Sequence, residues 1–273
     1  MNLLKEEFST NDLGDKRLND RAVKLAEQLS QNSTESIPTA CGGWTETSAA
    51  YRFFDNPKVT MPKILRPHVE ATDRRMALEK IVLLVQDTTE LDYSGQALKG
   101  EIGPLNSEKH RGLLFHPLLA VTPERISLGV VKSHFYARKK LGQEKVCEQR
   151  AIEEKESFRW LQHYCHGCEL AERFPQTQFV VVGDRESDIQ EVYIEHANRP
   201  EHARADWLIR SAQDRCVIHE GQAGKLWHVV RGLKPIGQLT FELPARANKP
   251  SRRITQYLRT TRLTLKATQR RGG

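Results

Sequence analysis

Two aspartates stand where a chain can put them to chemical use. Asp87 follows the apolar run of IVLLVQDTTELDY (81–93), and Asp184 follows that of QFVVVGDRESDI (178–189). Carboxylates are hard oxygen donors that suit Mg2+ or Mn2+, ions that keep several waters and need few protein ligands. Two such ions, about 3.5–4 Å apart, can generate a nucleophile at neutral pH and steady the leaving oxygen of a phosphoryl transfer. Two plainer uses remain open on spacing alone. Either aspartate could cap a turn or helix, and Asp87 could be the lone nucleophile of a phosphotransferase. Finding the same setting twice favours the metal reading.

The positioning elements follow from the pattern around them. Short apolar, β-branched runs bounded by glycine read as strands buried on both faces, and open α/β sheets place their chemistry at the carboxyl ends of such strands. Residues 1 to about 78 read as helical. Asn11 or Asp15 caps a helix running to about Leu29, with Leu18, Ala22, Leu25, Ala26 and Leu29 on one face. Arg17, Arg21 and Lys24 recur at helical spacing on another face, which is more often a solvated stripe than a binding one. A loop through Ile37-Pro38 and Gly42-Gly43 precedes helices near 45–54 and 61–76.

From Ile81 the pattern turns to strands: 81–87, then 113–121 and 126–136 joined by a turn at Thr122-Pro123-Glu124, with a loop over 95–111. A charged stretch, 137–149, leads into a helix over about 153–174. The strand at 178–183, a helix over about 188–197 and a strand at 207–211 follow, and then β-rich sequence at 237–243 and 253–266. The sum is compatible with a mixed α/β sheet of the ribonuclease H type behind a helical segment, other α/β folds staying open on pattern alone, and the chain divides as 1–78, 79–212 and 213–273.

Composition removes several classes. No apolar run reaches the roughly 18 residues needed to span a bilayer, and MNLLKEEFST carries acids where a signal peptide needs its apolar stretch, so a cytoplasmic location with no membrane partner is expected. Five irregularly spaced cysteines do not form a disulfide framework. Cys165 and Cys168, with His163 and His166, look like half a zinc site. They share a helical face with Phe158 and Leu161, however, and no second cysteine pair exists, so core packing is the better account. Trp160, Trp207 and Trp227 are likewise expected in the core. The net charge of +7 is local: nine Lys/Arg and no acid lie in 245–273, and setting those nine aside leaves 33 basic against 35 acidic residues. That tail is either solvated or phosphate-facing.

The motifs resemble those of the Tn5-like (IS4-type) DDE transposases. QDTTELDY (86–93), HRGLLFH (110–116), EKESFRWL (154–161), GDRESDI (183–189) and LIRS (208–211) keep that family's order, as do LGDKR with Arg21 and AYRFFDNPKV (50–59) at the N-terminal end. The resemblance implies a helical domain binding double-stranded DNA at transposon ends, followed by a ribonuclease H-like core and the start of a β-rich insertion. It implies Asp87 and Asp184 as catalytic ligands of Mg2+ or Mn2+, and Arg17, Arg21 and Arg210 as phosphate contacts. The family's third carboxylate lies in a Tyr-x2-Arg-x3-Glu-x6-Lys signature, and these 273 residues contain no such spacing. Glu186 and Asp188 are expected to support or cap the turn at Asp184 rather than to replace that glutamate. The expectation is an N-terminal transposase fragment that binds DNA and is inactive alone, the alternative being a DNA-binding regulator or inhibitor of the full-length enzyme.

Overall fold

A computed structural model of the chain describes residues 3–95, 102–107, 109–138, 151–246 and 249–266. Cys147, the charged stretch from 139 onward, part of the 95–111 loop, and Arg270 and Arg271 of the basic tail lie outside them. The chain forms two compact units, Met1–Arg210 and Ser211–Gly273.

The first unit opens with five helices: α1 (Leu3–Glu7), α2 (Lys16–Gln31), α3 (Ile37–Cys41), α4 (Trp44–Phe54) and α5 (Met61–Met76). Asp15, rather than Asn11, caps α2, its carboxylate accepting the N–H of Arg17 at 2.8 Å. The expected loop at 37–43 contains α3. Ser36 caps its start, and Gly42 ends it in the left-handed conformation (φ 72°), donating its N–H to the carbonyls of Pro38 and Thr39. One turn of helix lacks the length to show a period, which is why sequence pattern missed it. Leu13, Ala22, Leu25, Cys41, Ala50 and Phe53 bury a small core among these helices.

The sheet follows: β1 (Ile81–Gln86), β2 (Thr89–Asp92), β3 (Gly103–Pro104), β4 (Arg111–Val121), β5 (Ser127–Tyr136), β6 (Gln178–Gly183) and β7 (Asp206–Ile209), with α6 (Phe158–Arg173) before β6 and α7 (Gln190–Asn198) after it. β4 runs antiparallel to β5 on one edge and to β1 on the other; β6 then runs parallel to β1, and β7 parallel to β6. The order is therefore β5-β4-β1-β6-β7, with β1 in the middle. β1 and β2 are one strand with an interruption. Gln86 pairs with Leu118 and Thr89 with Phe115, so the same register carries across Asp87 and Thr88 and sets Thr88 opposite His116.

The expectation that these strands are buried on both faces holds for one face only. Val82, Leu84, Phe179 and Val181 are fully buried, while Leu83, Val85, Val180 and Val182 are half-buried. α6 covers the first face at close range. A Cβ on Gly167 would lie 2.7 Å from Val181 Cγ2 and 3.2 Å from Leu84 Cδ1, so glycine sets how near the helix can come. Trp160, Tyr164, Cys168 and Leu170 of α6 pack beneath, and Trp207 joins them half-buried.

In the second unit β8 (Cys216–His219), β9 (Gln222–Lys225) and β12 (Thr264–Leu265) form a three-stranded sheet with α8 (Leu226–Gly232), while β10 (Gly237–Leu243) and β11 (Arg252–Leu258) form a hairpin. The strand expected over 253–266 is thus two strands in different sheets. Trp227 is exposed rather than in a core, because short α8 buries none of its residues.

Candidate functional site

The site is built by register. β1 and β6 pair Val85 with Val182, and β6 and β7 pair Gly183 with Ile209. Continuing each strand beyond its last pair puts Asp87, Asp184 and Arg210 in one row past the carboxyl ends of three adjacent parallel strands, which run about 4.8 Å apart. The Arg210 N–H donates to the Gly183 carbonyl at 3.2 Å, which ties the third member of the row to the second. All three residues are exposed.

Each aspartate also accepts a backbone N–H close by in the chain. Asp87 Oδ1 accepts the N–H of Thr88 at 2.7 Å. Asp184 caps a single 3-10 turn (Arg185–Ser187), its Oδ1 accepting the N–H of Glu186 at 2.9 Å, and Ser187 Oγ donates to the Asp184 carbonyl at 2.6 Å. The fold-back is tight enough that a Cβ on Gly183 would meet Ser187 Oγ at 2.4 Å. Capping is therefore real at Asp184 and leaves its carboxylate on the surface; Asp87 starts neither a helix nor a turn, lies in the break between β1 and β2, and is exposed as well, so a cation can reach both. Asp188, by contrast, is buried and accepts a hydrogen bond from the Tyr193 hydroxyl at 2.7 Å.

Beneath the row lies a polar cluster that sequence reasoning quoted in motifs but did not assemble. Arg159, only 6% exposed, donates from Nε to Thr88 Oγ1 (3.1 Å), from Nη2 to Glu186 Oε2 (2.6 Å), and from Nη1 to the Glu156 carbonyl. The faces of Tyr136 and Trp160 lie 5.7 and 5.5 Å from its guanidinium carbon. Thr88 Oγ1 continues to His116 Nδ1 at 2.8 Å, and His116 Nε2 to Gln86 Oε1 at 3.2 Å. Gln86 Oε1 can only accept, so a neutral His116 carries its proton on Nε2 and leaves Nδ1 to accept from the Thr88 hydroxyl. Electrostatics agree: burial, then the Arg159 charge, lowers the His116 pKa to about 3. His163 stacks on His116 at 4.6 Å, and burial lowers its pKa to about 2. The signal that could have found the cluster was a charged or polar residue beside each motif's apolar run, Arg159 before Trp160 and His116 after Phe115.

The half zinc site does not converge. Cys168 is in the sheet core, His163 stacks on His116, and His166 pairs with Glu169 at 2.9 Å. Among the described residues no group of three or more His, Cys, Asp or Glu is placed to hold a metal. The aspartate row is a pair.

The other two predicted contacts sit on α2, in the small helical core's shell rather than at the sheet. Arg17 is exposed. Arg21 is half-buried and bound to Glu46 of α4 at 2.6 Å, and Lys24 reaches the same carboxylate at 2.8 Å. The two cations hold Glu46 below the usual carboxylate range, Lys24 contributing most. Trp44 and Tyr51 of α4 are exposed, Trp44 to 84%. Among the described residues no helix is long and apolar enough to cross a membrane.

Residues 1–59, which span α1 to α4, match the family model described as transposase DNA-binding. The match supports a transposase-family, DNA-binding role.

Proposed function

We propose that this chain is a Tn5-like (IS4-type) transposase protein: α1 to α4 bind double-stranded DNA at transposon ends, and the sheet is a ribonuclease H-like core carrying Asp87 and Asp184. The observation that carries the catalytic half is the strand register, which sets the two aspartates side by side past the central strand and its parallel neighbour. The 1–59 match carries the DNA-binding half. The mixed order β5-β4-β1-β6-β7 supports the ribonuclease H-like assignment, and Ser211–Gly273 would be the beginning of the β-rich insertion.

Two carboxylates of hard oxygen on adjacent strand ends fit Mg2+ or Mn2+. Asp87 and Asp184 would hold the ion. Bound there, it supplies charge for activating water and steadying a leaving oxygen at a DNA phosphate. Arg210, in the same row, would bind phosphate beside it, while the N–H groups of Thr88 and Glu186 that the two carboxylates accept restrain their rotation. The described residues present two carboxylates, not three, and affinity for such ions follows ligand count and charge. The 273-residue chain alone should therefore bind DNA without cleaving it. The same count favours a second reading, a regulator that occupies transposon ends in competition with a full-length transposase.

The test is an electrophoretic shift series of the chain on duplex DNA across salt concentrations. The expected result is binding whose log affinity falls linearly with log salt, in proportion to the phosphates contacted. Absence of a shift even at low salt would count against both readings. Mg2+-dependent nicking abolished by Asp87→Ala would show the chain to be complete enough for catalysis.

A further inference from the structure

Arg159 is an odd residue to find at the start of α6. It occupies the second position of a 16-residue helix, where the macrodipole disfavours a cation, and its side chain is buried, which disfavours a charge further. What offsets this is its pair of outward bonds. One goes to Thr88, the residue after Asp87, and the other to Glu186, whose N–H is held by the Asp184 carboxylate. One guanidinium therefore fastens both aspartate-bearing segments, the break between β1 and β2 and the 3-10 turn after β6, to the same helix end. Its third bond, to the Glu156 carbonyl, and the Tyr136 and Trp160 rings on its faces leave the fork little freedom.

We propose that Arg159 is a positioning residue that sets the spacing of the segments bearing Asp87 and Asp184 and so tunes the site toward small divalent cations. The proposal rests on the metal reading above. A planar fork can bridge two acceptors in fixed directions, whereas a lysine ammonium is a point donor on a flexible stem. Arg159→Lys keeps the charge and loses the bridge. Mn2+ is the smaller ion and holds oxygen at shorter distances than Ca2+, which takes more ligands in flexible geometry. Loosening the two segments should thus weaken Mn2+ more than Ca2+.

The experiment titrates the full chain with Mn2+ alone, followed by water-proton relaxation, and repeats the titration with Ca2+ as competitor. Thermal melts accompany each variant. Asp87→Ala should abolish Mn2+ binding. Arg159→Lys should weaken it by about three- to tenfold, less than the ten- to hundredfold that follows loss of a group bonded directly to a metal ligand, and should shrink the Mn2+ preference over Ca2+. Thr88→Val, isosteric and uncharged, cuts one arm of the bridge and should move the same ratio, which keeps the test alive if Arg159→Lys does not fold. Wild-type binding that is lost in Asp87→Ala but unchanged in affinity and ion preference in a folded Arg159→Lys or Thr88→Val protein would overturn the proposal and leave the metal site standing. A wild-type chain that takes up no Mn2+ would remove both.

Discussion

The helical segment and the sheet use the same residue types in opposite ways. On α2 and α4, Arg17 and Trp44 are exposed, and neither contributes to the small core beneath them. In α6, Arg159 and Trp160 are adjacent and both buried, and Arg159 is bonded to Thr88 and Glu186, close in the chain to the two aspartates. A cation or indole on the surface is free to meet a ligand; the same group in the interior spends its contacts on holding other residues still. On the proposed function, the difference divides the first unit into a face for binding and a frame for chemistry.

The sharpest test of that division exchanges the two tryptophans for alanine. Trp160→Ala should cost about 3–5 kcal/mol of stability, as large aromatic deletions in packed cores do, because the ring also meets His116 edge-on at 4.6 Å. Trp44→Ala should stay within about 0.5 kcal/mol, the usual range for an exposed site, and change DNA affinity instead. Urea unfolding of both variants decides it. Equal losses would abolish the contrast.

Acid should find the frame before it finds the face. The pKa of His116 is lowered by burial to about 3, and that of His163 to about 2. A base whose folded pKa lies below its unfolded value near 6.5 takes up protons preferentially when unfolded. The stability contributed by these two histidines is thus fully present above about pH 6.5 and declines as pH falls toward their folded values. Between about pH 6.5 and 5.5 the carboxylates of the unfolded chain remain largely ionised, so the slope there belongs chiefly to histidine. Stability measured across that window should fall with acid, and His116→Gln, which retains hydrogen-bonding groups, should flatten the curve.

Smaller effects should separate Arg17 from Arg21. Arg17→Ala should weaken DNA binding and reduce the salt slope by about 1, the signature of one lost phosphate contact. Arg21 is already engaged with Glu46 at 2.6 Å, so Arg21→Ala should change the slope less while loosening the α2–α4 contact. Salt-dependent shift assays on the two variants would sharpen or erase the ranking.

Much of the sheet was legible because its strands are short apolar runs with glycine or a turn at their ends; 178–183 and the end of the hairpin at Tyr136 coincide with the structure. What escaped lay where side chains, not periods, decide. α3 is capped by Ser36 and Gly42 and is too short for a pattern. β2 resumes after Asp87 because Thr88 stays in register with His116, a cross-strand partner 28 residues away. The aspartates were visible as strand ends, but their adjacency required knowing that β1 and β6 are parallel neighbours. The bridge through Arg159 joins residues 71 and 27 positions apart in the chain, which no local window contains.

The central claim is that Asp87 and Asp184 act as one cation-binding unit. Calorimetric titration of Mn2+ into the wild type, Asp87→Ala, Asp184→Ala and the double variant tests it directly. Either single change should remove most of the binding and the second should add little, since groups sharing one ligand are not independent. Two single variants that each bind like the wild type would contradict it.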